Sequence, residues 1–133
     1  MKIEKIDHIG IAVKKIEDAF KFYSENFNLK ISEPIEVLSQ KVRVAFIEIG
    51  GVKLELIEPL GEDSPVAKFI QKKGEGLHHI CFEVDDIEDA LKKLKENEVR
   101  LVDCVPRIGA TGKRIAFLHP ESAFGVLIEL KEK

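Results

Sequence analysis

Residues 6–13, IDHIGIAV, return 71 positions later as residues 77–84, LHHICFEV, and the segments after each copy decide the fold. The register holds through residues 16–26, IEDAFKFYSEN, which match residues 87–97, IEDALKKLKEN, at seven of eleven positions. It holds again where RVAFIE (43–48) falls on RIAFLH (114–119). Three extra residues in the second half then move the offset to 74, and GVKLEL (51–56) lies on GVLIEL (125–130).

Each copy opens with an alternating apolar strand, continues as an amphipathic helix, and ends in further strands punctuated by Gly and Pro. The reading is strand, helix, strand, strand, strand, twice: an α+β chain of two tandem βαβββ modules. The first helix is expected to bury Ile16, Ala19, Phe20, Tyr23 and Phe27, and the second Ile87, Ala90, Leu91 and Leu94. Asp18 and Asp89 suit the positive helix ends. Between the copies, GEDSPVAKFIQKKGEG offers Ser64 as a cap, Pro65 at the first helical position and Gly74 or Gly76 as the stop, which predicts a linker helix. The expected division is module 1 over about residues 1–60, the linker over about 61–76 and module 2 over about 77–133. Modules this short bury too little alone, so residues 1–133 are expected to form a single domain.

The composition fits that picture. The chain has 133 residues, 44% hydrophobic and 34% charged, which suits neither a disordered nor a membrane-spanning chain. With 21 Lys plus Arg against 24 Asp plus Glu, the net charge of -3 argues against a nucleic-acid partner. The N-terminus alternates charge with apolar residues and has no signal-peptide core, and only Cys81 and Cys104 carry thiols, so a cytoplasmic setting is expected.

Strand alternation sets Ile9, Ile11 and Val13 on one face and His8, Gly10 and Ala12 on the other. In the second copy His79, not His78, corresponds to His8, and it shares its face with Cys81 and Glu83. In the last strands, Leu54 and Leu56 bracket Glu55 as Ile128 and Leu130 bracket Glu129. A lone strand His is usually a hydrogen-bonded structural residue and a lone strand Glu is usually solvated. Duplicated His and duplicated Glu on matching faces point instead to a divalent metal site of His8, Glu55, His79 and Glu129. Such N and O donors suit Co, Mn, Ni, Fe or Zn better than Ca. Cys81 reads as a small packing residue.

At these residues the chain resembles the vicinal oxygen chelate (glyoxalase-like) superfamily and, within it, the methylmalonyl-CoA epimerase family. The resemblance covers nearly the whole chain and is carried by DHIGIAV (7–13), PLGEDSPVAKFI (59–70), GLHHICFEVDDI (76–87) and IAFLHPESAFGVLIEL (115–130). It implies a curved mixed sheet around a metal held at His8, Glu55, His79 and Glu129, a CoA thioester substrate and a homodimer. Some similar epimerases have Gln in place of Glu55, and carry at the position of Val44 a Glu assigned as one of two proton-transferring bases. The implied reaction interconverts the 2R and 2S epimers of methylmalonyl-CoA through an enolate, with one base on each face. Glu129 is the first base. Glu55 is the candidate second, since Val44 cannot carry a proton; Glu48 and His119 are fallbacks that read more simply as strand-end and turn residues.

The loop RIGATGKR (107–114) brings Arg107 and Lys113 to two glycines as candidate substrate contacts, with Ser122 in the HPESAFG turn as another. A basic Gly-containing loop is more often solvated turn, and no phosphate-loop spacing is present. A glyoxalase I-type lactoylglutathione lyase uses the same ligand types, and a metal-independent binding protein of this fold needs none of them. These remain the competing readings.

Overall fold

The computed structural model describes residues 1–133. Its elements run β1 (Ile3–Ala12), α1 (Ile16–Phe27), β2 (Ile35–Val37), β3 (Val42–Ile49), β4 (Val52–Pro59), α2 (Pro65–Lys73), β5 (Gly76–Val84), α3 (Ile87–Glu96), β6 (Arg107–Ile108), β7 (Arg114–Leu118) and β8 (Ile128–Glu132). Strand, helix and three strands thus occur twice, with α2 between, as the repeat predicts. The chain forms two compact units, Ile9–His78 and a second made of Met1–His8 with His79–Lys133.

In the unit Ile9–His78, β2 pairs with β3 and β3 with β4, both antiparallel. The β3–β4 turn needs two residues at positive φ, and Gly50 (54°) and Gly51 (88°) supply them without steric cost. One face of this sheet packs Ala45, Ile47 and Leu56 against Val13 and Ile16, with Ala19 and Tyr23 completing the helix contact. The linker helix starts and stops as expected: the Ser64 hydroxyl accepts from the Val66 N–H, Pro65 follows, and Gly74 ends it.

Two of the expected core residues of α1 are not in the core. Phe20 is 48% and Phe27 59% exposed. Leu29 and Ile31, from the segment after the helix, pack against the core instead. The end of α1 carries an aromatic cluster of its own, in which Phe22 meets Tyr23 at 5.2 Å and Phe27 at 5.7 Å between ring centroids. The buried stripe of the helix runs through Ile16, Ala19 and Tyr23; Phe20 lies at its flank and Phe27 at the helix end.

In the second unit β5 and β8 are parallel, and β7 pairs antiparallel with both β8 and β6. Ile87, Ala90 and Leu91 of α3 close over Val84, Ala116, Leu118 and Leu130, with Leu94 packed at the margin. The Asp86 carboxylate caps α3 by accepting from the Asp89 N–H.

One ionic device is built twice. Glu58 accepts from the Ile16 N–H at the start of α1, and Glu132 accepts from the Ile87 N–H at the start of α3. Arg43 binds Glu17 and reaches Glu58, while Arg114 binds Glu88 and Glu132. Each network ties a helix N-terminus, where carboxylates are favoured, to the sheet of its own module.

Candidate metal centre

Residues directly opposite in paired strands share a sheet face. Leu130 and Ile128 join the α3 core, so Glu129 between them projects to the opposite face, together with its partners Phe117 on β7 and Cys81 on β5. His79, two residues before Cys81, takes the same side. The His side of β1 is not a solvated face either: His8, Gly10 and Ala12 are all buried.

Three of the four expected donors meet in the unit formed by Met1–His8 and His79–Lys133. His8 Nε2 lies 3.0 Å from His79 Nε2 and 3.1 Å from Glu129 Oε1, and His79 Nε2 lies 3.0 Å from the same oxygen. Their exposures are 5%, 5% and 6%, so none is a solvated surface group. The rings of His8 and His79 stand edge to face, with their centroids 5.1 Å apart. Burial works against charge on Glu129, but the hydrogen bonds and charge of His79 and His8 outweigh it and hold the carboxyl down at about 2.

The donor set fits a metal ion. Donors placed ~2.1 Å from a common ion lie ~3.0 Å apart at right angles and ~3.4 Å apart at the tetrahedral angle. The three separations of 3.0, 3.1 and 3.0 Å let a single ion reach all three atoms. All three are capable ligand atoms: two imidazole nitrogens and an ionised carboxylate oxygen.

Glu55 belongs to the other unit. It is buried, 7% exposed, on β4 opposite Phe46 of β3, and so faces away from the core that holds Leu54 and Leu56. Val44 and Ile57 pair one step along the same face. Val44 is a buried aliphatic residue.

Asp7 had no role in the sequence reading. It is 4% exposed, and its Oδ2 accepts from His8 Nδ1 at 2.8 Å and from Lys131 Nζ at 3.2 Å. The hydrogen bond from His8 holds the Asp7 carboxyl well below the usual range; burial opposes this and Lys131 assists it. The DH dipeptide was the available signal, but nothing in the sequence marks Lys131, 124 residues away, as its partner.

Arg107 sits 5.4 Å over the Phe117 ring, whose centroid is 5.7 Å from that of His79, and its Nε lies 3.4 Å from Asp103 Oδ1. Lys113 is exposed. The Ser122 hydroxyl accepts from the Arg100 N–H. His119 accepts from the Glu121 N–H through Nδ1, as a turn-capping residue does, and Glu48 is exposed at the end of β3 opposite Lys53. Cys81 is fully enclosed, and burial pushes its thiol up to about 12. Both cysteines are free.

Residues 7–117 match the Glyoxalase/Bleomycin resistance protein/Dioxygenase superfamily. The chain belongs to this superfamily. Among its members, an uncharacterized Bacillus subtilis protein is 50% identical over 98% of this chain and 93% of its own length. A mitochondrial methylmalonyl-CoA epimerase of Dictyostelium discoideum is 42% identical over 98% of this chain and 80% of its own length. A solved methylmalonyl-CoA epimerase in complex with methylmalonyl-CoA and NH4+ superposes with a TM-score of 0.93 at 36% identity, covering 99% of this chain and 96% of that one. The α+β arrangement of two βαβββ modules is thus the glyoxalase fold of the superfamily.

Proposed function

We propose that this chain is a methylmalonyl-CoA epimerase that inverts carbon 2 of the thioester by removing and returning a proton. The observation that carries the proposal is the buried meeting of His8, His79 and Glu129 in a chain with relatives, 40–43% identical over 96–98% of it, that are named as that enzyme.

Carbon 2 lies between a thioester carbonyl and a carboxylate, so its proton is acidic only if the charge left behind is stabilised. A divalent ion held by His8, His79, Glu129 and Glu55, when bound, supplies a Lewis acid at the thioester oxygen where that charge collects. Two imidazole nitrogens with carboxylate oxygens suit Co, Mn, Ni, Fe or Zn. Both imidazoles contact Oε1 of Glu129, which leaves Oε2 as the oxygen that takes the proton. Glu129 is ionised throughout the neutral range and so can accept the proton, as a weaker base than an ordinary carboxylate. Glu55 serves the opposite face of the enolate plane. Its support is its burial as a carboxylate, its correspondence to Glu129 in the repeat, and a neighbour at Val44 that carries no proton.

Arg107 meets the substrate carboxylate in this reading, which its stacking on Phe117 beside His79 supports, with Lys113 and the Ser122 hydroxyl proton as further contacts. No helix is long and apolar enough to cross a membrane. A homodimer working in the cytoplasm completes the reading.

The deciding experiment follows deuterium entry at carbon 2 of methylmalonyl-CoA in D2O, with and without a chelator. Rapid exchange that the chelator abolishes and a divalent ion restores is expected. Absence of exchange, with turnover of a glutathione hemithioacetal instead, would make the chain a glyoxalase.

A further inference from the structure

We propose that Asp7, clamped by Lys131, is the positioning residue that holds the His8 ring by Nδ1 and so turns Nε2 into the donor cluster. This deepens the metal-centre reading and rests on it.

The geometry carries the inference. An ionised carboxylate can only accept hydrogen bonds, so the 2.8 Å contact from Asp7 Oδ2 requires the proton of His8 to sit on Nδ1. With Nδ1 held there, Nε2 is the ring nitrogen that faces the cluster, 3.0 Å from His79 Nε2 and 3.1 Å from Glu129 Oε1. A ring without this partner could turn either nitrogen toward the cluster. Lys131 completes the device: its ammonium, on a side chain 11% exposed, donates to the same Oδ2 and keeps a buried carboxylate charged.

A purely structural role explains this poorly. Asp is a weak strand former, and an enclosed carboxylate is costly unless paired. The repeat makes the same point, because it duplicates the donors but not the clamp. At the position equivalent to Asp7 the second copy has His78, packed 4.8 Å from Phe69 between ring centroids, and at the position equivalent to Lys131 the first copy has Ile57. The clamp was therefore not inherited with the symmetric framework.

Asp7 and Cys81 also form a triplet with His8 that offers metal-ligand atoms of its own. With the Lys131 ammonium on Oδ2, however, a cation there would face a like charge. Asp7 thus acts through His8 and not as a ligand. An outer-shell carboxylate of this kind typically changes metal affinity ~10–100-fold by orienting the ligating imidazole and raising its basicity.

The test has two arms. In the metal-free protein labelled with 15N in its histidine rings, NMR should find His8 with its proton on Nδ1, and Asp7→Leu should lose that preference. In competition with a chromophoric chelator, Asp7→Asn and Asp7→Leu should bind Co2+ ~10–100-fold more weakly than the parent. A bare Nδ1 on His8 in the unsubstituted protein overturns the proposal, and this measurement does not depend on any variant folding. Parental Co2+ affinity in folded Asp7→Leu overturns it as well. Failure of the unsubstituted protein to bind Co2+ at all refutes the metal centre itself, while the NMR arm still decides whether Asp7 holds His8 by Nδ1.

Discussion

If Glu129 and Glu55 serve opposite faces of one enolate, replacing either with Gln should stop inversion without stopping all proton exchange. Gln keeps an oxygen donor and nearly the same shape but cannot accept the proton. Both carboxylates are enclosed, at 6% and 7% exposure, so bulk water has poor access to stand in for the lost base. General-base catalysis contributes ~10²–10⁴-fold, so inversion should slow by that factor, equivalent to about 3–5 kcal/mol in the barrier. Each variant retains the carboxylate on one face and can still remove and return the proton of the epimer presented to it. Glu129→Gln should therefore wash deuterium into one epimer only, and Glu55→Gln into the other. NMR of each pure epimer in D2O reads exchange and inversion separately. Full-rate inversion by Glu55→Gln, or loss of exchange from the same epimer in both variants, would refute the two-base assignment.

Other outcomes rest on the same structure. A thiol reagent should modify one cysteine per native chain, exposed Cys104, and both only after denaturation, because Cys81 is fully enclosed; two fast-reacting native thiols would contradict that packing. Leu56→Ala, at a side chain with 0% exposure, should cost about 2–5 kcal/mol in urea unfolding, and a cost near zero would mean that the α1 face is not a packed core. The hydrogen bond from Arg43 holds the Glu17 carboxyl below its ordinary 4.5, so its contribution to stability is present above that pH and fades as pH falls. Melting of Glu17→Gln should thus fall below that of the parent at pH 7 and converge with it in acid, more weakly in high salt. A gap that widens in acid would reverse the sign.

Much of the fold was legible because duplication makes a sequence testify twice. An alternating strand or a helical stripe is ambiguous alone, but the same pattern at a constant offset of 71 or 74 fixes order and register together. The linker helix was legible for a different reason, since Ser64, Pro65 and Gly74 each satisfy a local backbone demand that no distant residue alters. The exposure of Phe20 and Phe27 was not legible, because periodicity gives the direction of a buried stripe but neither its width nor its end. The paired Arg–Glu networks were within reach: Arg43, Glu17 and Glu58 align with Arg114, Glu88 and Glu132 at the repeat offsets, and matched charges carry the same information as matched histidines. Asp7 lay beyond it, for its meaning comes from a lysine at the far end of the chain.

The most direct measurement is anomalous diffraction at the cobalt edge from crystals grown with Co2+. One peak per chain is expected, bonded to His8 Nε2, His79 Nε2 and Glu129 Oε1, with Glu55 as the fourth protein ligand. No peak among these side chains, or a peak on Asp7, His8 Nδ1 and Cys81 instead, would contradict the idea that the two halves supply matched donors to a single ion.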